Sequence, residues 1–81
     1  MIRLWLFIPE VQKEFECALP ENASLAQCIP YLNRLLDDEF ERWYEIAADA
    51  LFVETDTGIR LSGAVTISYL NLEDGMRIMI C

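Results

Sequence analysis

The hydrophobic pattern begins with a continuous apolar run, IRLWLFI, at residues 2–8, which ends at Pro9. Its length and its β-favouring residues predict a strand with apolar side chains on both faces, as in the middle of a sheet. Residues 12–19, QKEFECAL, alternate between polar and apolar positions, which predicts a half-buried strand. Because the link between the two runs is short, they are expected to form an antiparallel hairpin.

The pattern then changes to a helical period. Ser24 and Gln27 form a capping box, which indicates the start of a helix. The apolar positions that follow recur every three or four residues and make one stripe: Leu25, Cys28, Ile29, Leu32, Leu35, Leu36 and Phe40. Acidic residues at 37–39 oppose the helix dipole, so the helix is expected to end or bend near Asp38. Residues 40–50 are expected to form a loop or a short second helical piece.

The C-terminal half predicts three short strands. Two of them, LFVE at 51–54 and IRLSG at 59–63, flank a TDTG turn, and the last is MRIMIC at 76–81. Residues 66–72, TISYLNL, predict a single helical turn before the last strand. The order β-β-α-β-β-β, with one helix packed on a mixed sheet, predicts an α+β fold in one domain spanning residues 1–81.

The net charge of −8, from fourteen acidic and six basic residues, limits the partners that the chain can bind. An acidic surface repels phosphate groups, so no nucleic-acid partner and no anionic membrane are expected, and a charged partner surface is expected to be basic. No apolar run reaches eighteen residues, and the N-terminus lacks the features of a signal peptide. We therefore expect no direct membrane insertion and a cytoplasmic location.

The residue types that usually carry chemistry are scarce. The chain has no histidine, no phosphate-binding glycine motif, and three cysteines at scattered positions. Cys17 and Cys28 fall on apolar faces and are expected in the core, whereas Cys81 is expected to be exposed beside Arg77. The acidic clusters fall at a helix end and in a turn rather than in a cleft. We expect no enzymatic activity, no cofactor and no metal site.

Residues 66–81 carry a resemblance to a known family. The stretch TISYLNL is similar to T-L-S-D-Y-N-I of ubiquitin, and the two sequences run without a gap from Thr66 to Cys81, with Ile78 and Ile80 at the inward positions of the last strand. The chain resembles the ubiquitin-like β-grasp proteins over its whole length, apart from residues 40–50, which are longer than the usual connection. The resemblance implies a ubiquitin-like β-grasp fold.

Within that superfamily the chain looks most similar to the small YukD/EsaB-like proteins of bacterial type VII (ESX) secretion systems. The similarity lies in LFVETDTGIRLSG, in the helical turn and in the pattern L-x-D-G-x-R-I-x-I at residues 72–80. It implies a cytosolic accessory role in secretion, exerted by binding a protein partner that is a membrane component of the secretion system.

The chain lacks the C-terminal Gly-Gly through which ubiquitin and the sulfur carriers react, and its last strand runs to Cys81. It also has a single lysine, Lys13, so the building of chains on it is not expected. The resemblance thus implies a non-conjugating, non-enzymatic interaction module. A sulfur carrier or protein modifier is a less favoured alternative, and a homo-oligomeric structural domain, such as a homodimer, is another.

The alternation of the strands predicts the binding surface. In a β-grasp sheet the first and last strands are neighbours, so one open face is expected to carry four apolar anchors with an arginine rim: Trp5, Phe7, Phe52 and Met79, with Arg3 and Arg77. Ubiquitin binds partners through the corresponding face, and the resemblance places Phe52 where ubiquitin has an exposed isoleucine. Two alternatives are that a second copy covers this face, or that residues 40–50 fold over it with Phe40, Trp43, Tyr44 and Ile46.

Overall fold

The structure is a computed structural model that describes the backbone of residues 1–40 and 44–81 and the side chains of residues 1–38 and 44–81. Its elements follow the predicted order: β1 Ile2–Ile8, β2 Lys13–Leu19, α1 Leu25–Phe40, β3 Phe52–Glu54, β4 Arg60–Leu61, a 3₁₀ turn at Ile67–Tyr69 and β5 Met76–Ile80. The strands form a five-stranded sheet in the order β2-β1-β5-β3-β4. The fold is therefore α+β, with one helix on a mixed sheet, as the sequence predicts.

The centre of the sheet is formed by β1 and β5, which run parallel with Leu6 opposite Ile78. The remaining pairs, β1 with β2, β3 with β5 and β3 with β4, are antiparallel. Because β1 has a neighbour on each side, its long apolar run belongs to a central strand, which confirms the position predicted from its composition.

One face of the sheet packs against α1 and forms the core. Side chains from both ends of the chain meet there, and several are fully buried, including Leu4, Leu6, Leu32 and Ile78. Each such side chain contributes about 1.5–3 kcal/mol through removal of its apolar surface from water. The helix is therefore held mainly by its apolar stripe, in agreement with the predicted periodicity.

The start of α1 is fixed by the predicted capping box. The Ser24 backbone N–H donates to Gln27 Oε1 at 2.9 Å, and the Gln27 backbone N–H donates to Ser24 Oγ at 3.2 Å. Each side chain thereby satisfies a backbone donor that the first helical turn leaves without an intrahelical acceptor. The helix continues to Phe40, two residues beyond the expected end near Asp38.

The described part of the long connection, residues 44–50, contacts the middle of α1 at Asn33. Ile46 is buried in the core cluster, and its backbone N–H and C=O both bond to the side-chain amide of Asn33. The alternative in which Ile46 covers the open sheet face is therefore wrong. Tyr44 packs against the core and shares a hydrogen bond with Glu10. The Phe40 side chain and Trp43 lie outside the described residues.

The predicted orientation of β3 is wrong by one residue. Phe52, expected on the open face, is 1% exposed and packs in the core, whereas Val53 faces outward and Leu51 is exposed. The register determines this arrangement, because Phe52 lies opposite the buried Ile80. A shift of one residue in a strand exchanges its two faces.

Glu54 lies on the same face of β3 as Phe52, because the two residues are two positions apart in the strand. A glutamate suggests a solvent-facing position, yet Glu54 is buried. Its carboxylate accepts the backbone N–H groups of Asp56 at 2.6 Å and of Thr57 at 3.3 Å, so the turn that follows β3 compensates for its burial. The buried face of β3 therefore contains a glutamate, which the pattern of polar and apolar residues alone would place in solvent.

Candidate interaction face

The sheet face opposite α1 carries two rows of outward-pointing residues, defined by the strand registers. The shorter row runs across three strands through Glu16, Trp5 and Arg77. The longer row runs across all five strands through Glu14, Phe7, Met79, Val53 and Arg60. We call these eight residues, together with Arg3, the open face.

The middle of the open face is apolar. Trp5 and Phe7 on β1 and Met79 and Val53 on the neighbouring strands are all half-buried, which is the exposure expected of side chains that contact one another across strands without a covering layer. They form a continuous apolar band because Phe7 lies opposite Met79, and Met79 lies opposite Val53. Such a band can bury surface against a partner.

The charges of the open face are arranged by strand. Glu14 and Glu16 lie on the edge strand β2, Arg60 lies on the opposite edge strand β4, and Arg77 lies on the central strand β5 opposite Trp5. Arg3 lies on β1 and forms an ion pair with Glu16, Nη1 to Oε1, at 3.4 Å. Half of the six basic residues of the chain are thus on this face, so it is locally far less acidic than the net charge suggests.

The two exposed arginines Arg60 and Arg77 have no ion pair with any other residue that the structure describes. A guanidinium group binds carboxylates through paired hydrogen bonds, and arginine is common in protein interfaces for this reason. The open face therefore combines an apolar band with two arginines that are available to a partner.

The structure brings together five of the six predicted site residues. Trp5, Phe7, Met79 and the rim residues Arg3 and Arg77 share the open face, as their alternation predicts. Phe52 does not belong to it, because its ring fills the core beside Gly63 and Ala26. Four residues of the face were not among the predicted site residues: Glu14, Glu16, Val53 and Arg60. Leu61 pairs with the buried Phe52, so its neighbour Arg60 points to the open face, since neighbouring residues of a strand face opposite ways.

The cysteine thiols have environments of two kinds. Cys17 and Cys28 are buried, as predicted, and Cys81 is exposed. Burial, together with the smaller effects of the neighbouring Cys28 and Glu16, raises the pKa of the Cys17 thiol from 9.0 to about 12; burial also raises the pKa of Cys28. A raised pKa suppresses the thiolate, which is the nucleophilic form, so these two cysteines are structural.

Among the described side chains, those of residues 1–38 and 44–81, no three cysteine or acidic groups lie close enough together to hold a metal ion. In the same part of the chain, no helix has the length and apolar character needed to cross a membrane.

Comparison with known proteins places the fold. No protein-family model matches the chain, and no curated protein matches its sequence. Among solved structures, a chain of the MycP5-free ESX-5 inner membrane complex matches with a TM-score of 0.74 at 15% identity, over 99% of this chain and 20% of that one. This chain thus spans only a fifth of that ESX-5 chain.

Two ubiquitin-like structures match over most of both chains. The ubiquitin of Caldiarchaeum subterraneum matches with a TM-score of 0.68 at 12% identity, over 98% of this chain and 89% of that one. A ubiquitin-like domain of an Arabidopsis thaliana protein matches with a TM-score of 0.67 at 10% identity, over 99% and 74%. Identities this low establish a fold and not a function. The chain has the ubiquitin-like β-grasp fold.

Proposed function

We propose that this protein is a non-enzymatic, non-conjugating interaction module that binds a protein partner through its open face. The observation that carries the proposal is the continuous apolar band formed by Trp5, Phe7, Met79 and Val53, flanked by the exposed Arg60 and Arg77. Aromatic and arginine side chains around an apolar centre are the composition of binding hot spots.

The proposed cellular context is a type VII secretion system, in which the protein would act in the cytoplasm as an accessory component that binds a membrane component. Two observations support this context: the similarity of residues 51–80 to the YukD/EsaB-like proteins, and the structural match to a chain of an ESX-5 inner membrane complex. The partner surface that suits the open face is apolar with carboxylates placed to meet Arg60 and Arg77.

The test is a binding assay between the protein and the cytoplasmic domains of type VII membrane components from the source organism. We expect Trp5→Glu and Val53→Glu each to weaken binding by about a hundredfold, because each puts a charge into the apolar band. Tyr69→Glu is the matched control. Tyr69 is 78% exposed and lies in the 3₁₀ turn, outside the sheet, so its substitution should leave the affinity unchanged.

Two results would contradict the proposal. If Trp5→Glu and Val53→Glu bind as well as the wild type while circular dichroism shows them folded, the open face is not the binding surface. If light scattering shows a dimer that Val53→Glu dissociates, the face joins two copies of the chain, and the homo-oligomeric alternative is correct.

A further inference from the structure

The strand β2 forms one edge of the sheet, and three of its residues direct their backbone groups away from it. The reference point is Arg3 on β1, whose N–H donates to Asp74 Oδ1 at 2.9 Å and whose C=O accepts the Gly75 N–H at 2.8 Å, so that both its backbone groups point toward β5. Backbone groups alternate in direction along a strand. The even-numbered residues of β1 therefore point toward β2.

The register between β1 and β2 determines which backbone groups of β2 point toward β1. The partners of the even-numbered β1 residues are Lys13, Phe15, Cys17 and Leu19, which bond inward to β1. The residues between them, Glu14, Glu16 and Ala18, direct their N–H and C=O groups outward. No other described strand lies beyond them. An edge of this length is a ready template for a further strand.

An apolar groove adjoins this edge on the helix side. It has a volume of about 330 Å³ and runs from Ala18 on β2 to the exposed face of α1, with Met1, Ala23, Cys28 and Tyr31 among its lining residues. Met1 and Tyr31 are two large apolar side chains that the structure leaves exposed, at 78% and 43%. The groove can therefore receive side chains from a strand that pairs with β2.

The other side of the same edge is acidic. Glu14 and Glu16 point to the open-face side of β2 and are exposed; Glu16 also forms the ion pair with Arg3, whereas Glu14 has no ion pair with any other residue that the structure describes. A strand that pairs with β2 would present alternate side chains to the two sides, one set to the apolar groove and the other beside the glutamates. Its favourable composition is therefore an alternation of apolar and basic residues.

We propose that the β2 edge is a second binding site, at which an extended protein segment of alternating apolar and basic residues adds to the sheet as a sixth strand. Main-chain hydrogen bonds to Glu14, Glu16 and Ala18 give the affinity, while the groove and the glutamates select the side chains. A second copy of this chain is a poor occupant, because pairing two β2 edges would bring glutamates of both copies together.

The site shares Glu14 and Glu16 with the rim of the open face, but it is distinct from the apolar band through which the proposed function acts. The open face offers side chains across the centre of the sheet, whereas the edge offers backbone groups and a groove beside the helix. A segment bound at the β2 edge leaves the Trp5, Phe7 and Met79 side chains of the open face free. Each site can therefore fail its test without affecting the other.

The test uses a capped seven-residue peptide of alternating lysine and valine, titrated into the full chain labelled with ¹⁵N. We expect saturable shifts in the backbone amides of residues 14–18 and slowing of hydrogen exchange at Glu14, Glu16 and Ala18 by at least about tenfold at saturation. Raising the salt from about 0.05 M to about 0.5 M should weaken binding, because the charged groups are exposed to solvent.

Two variants and their matched controls locate the site. Glu14→Lys should weaken peptide binding by about fivefold, since it replaces an attraction by a repulsion at an exposed position, and Glu73→Lys should not. Tyr31→Ser should weaken it through loss of the groove wall, whereas Tyr69→Ser should not. All four residues are exposed, so the variants are expected to fold.

Peptide controls distinguish strand addition from general attraction. A peptide with the same side chains but methylated on every backbone nitrogen cannot donate to β2, and it should not bind. A peptide with glutamate in place of lysine should bind at least about fivefold more weakly. The proposal is overturned by equal binding of the methylated peptide, by shifts centred on Trp5, Phe7 and Met79, by a dimer that pairs β2 edges, or by no binding at all.

Discussion

The side-chain amide of Asn33 holds both backbone groups of Ile46, with the Ile46 N–H donating to Asn33 Oδ1 at 2.7 Å and Asn33 Nδ2 donating to the Ile46 carbonyl oxygen at 3.2 Å. This double contact ties the long connection to the helix and keeps Ile46 in the core. The Asn33 amide thus replaces the pair of backbone hydrogen bonds that a neighbouring strand would make with Ile46. The connection is therefore anchored to the helix side of the sheet at Ile46.

Replacing Asn33 by alanine should lower the free energy of unfolding by about 2–3 kcal/mol, because two part-buried backbone groups lose their partners. Denaturant unfolding followed by circular dichroism measures this loss. The matched control is Asn22→Ala at an exposed site, where the change should stay within about 0.5 kcal/mol. An equal loss in the two variants would show that the contact to Ile46 contributes nothing particular to stability.

Truncation of the neighbours Phe52 and Val53 should lower the free energy of unfolding by very different amounts. Phe52→Ala removes a fully buried ring and should cost about 3–5 kcal/mol of unfolding free energy, whereas Val53→Ala, on the open face, should cost about 1 kcal/mol or less. The affinity for a partner at the open face should instead be lowered more by Val53→Ala than by Phe52→Ala, when both variants are folded. A larger stability loss in Val53→Ala would show that β3 presents the other face to the core.

The buried Cys17 makes stability depend on alkaline pH. Its pKa is about 12 in the folded chain and 9.0 for an ordinary thiol, so the folded state holds its proton where the unfolded state releases it. Stability is therefore full below pH 9 and falls as the pH rises toward 12, at up to about 1.4 kcal/mol per pH unit.

The comparison that isolates this thiol is the unfolding free energy of wild type and Cys17→Ala at pH 8 and pH 10.5. The decline between the two pH values should be smaller in Cys17→Ala by about 2 kcal/mol, because only the wild type carries the shifted thiol. The truncation itself cancels, since it lowers both values equally. Parallel declines in the two proteins would contradict the assignment.

Thiol labelling should distinguish the three cysteines. At pH 8 and under native conditions, a maleimide should modify Cys81 alone, because Cys17 and Cys28 are buried and their pKa values are raised. Mass spectrometry should show one adduct in native buffer and three in denaturant, and Cys81→Ser should show none and two. Rapid native labelling of Cys28 would mean that the groove beside Tyr31 exposes the helix more than the structure shows.

The sequence predicted the order of elements, because each element carries a strong local signal: the apolar run of β1, the alternation of β2, the capping box at Ser24 and the stripe of α1. The faces of β1 and β5 were predictable for the same reason, and with them the position of five of the six proposed site residues on the open face. The orientation of β3 was not. Only three residues long, it contains Glu54, whose burial depends on N–H groups of the following turn. The contact of Ile46 with Asn33 was equally hidden, since thirteen residues separate the two partners.

The parallel pairing of β1 with β5 has a mechanical consequence. Leu4 and Met76 face each other near the start of both strands, and Phe7 and Met79 face each other further along. A pulling force applied through Ile2 and Ile80 would draw the two strands in opposite directions along their length. The ladder between them would then be strained as a whole rather than opened one bond at a time. The chain should therefore resist extension from its ends far more strongly than a pull that peels β2 from the edge of the sheet.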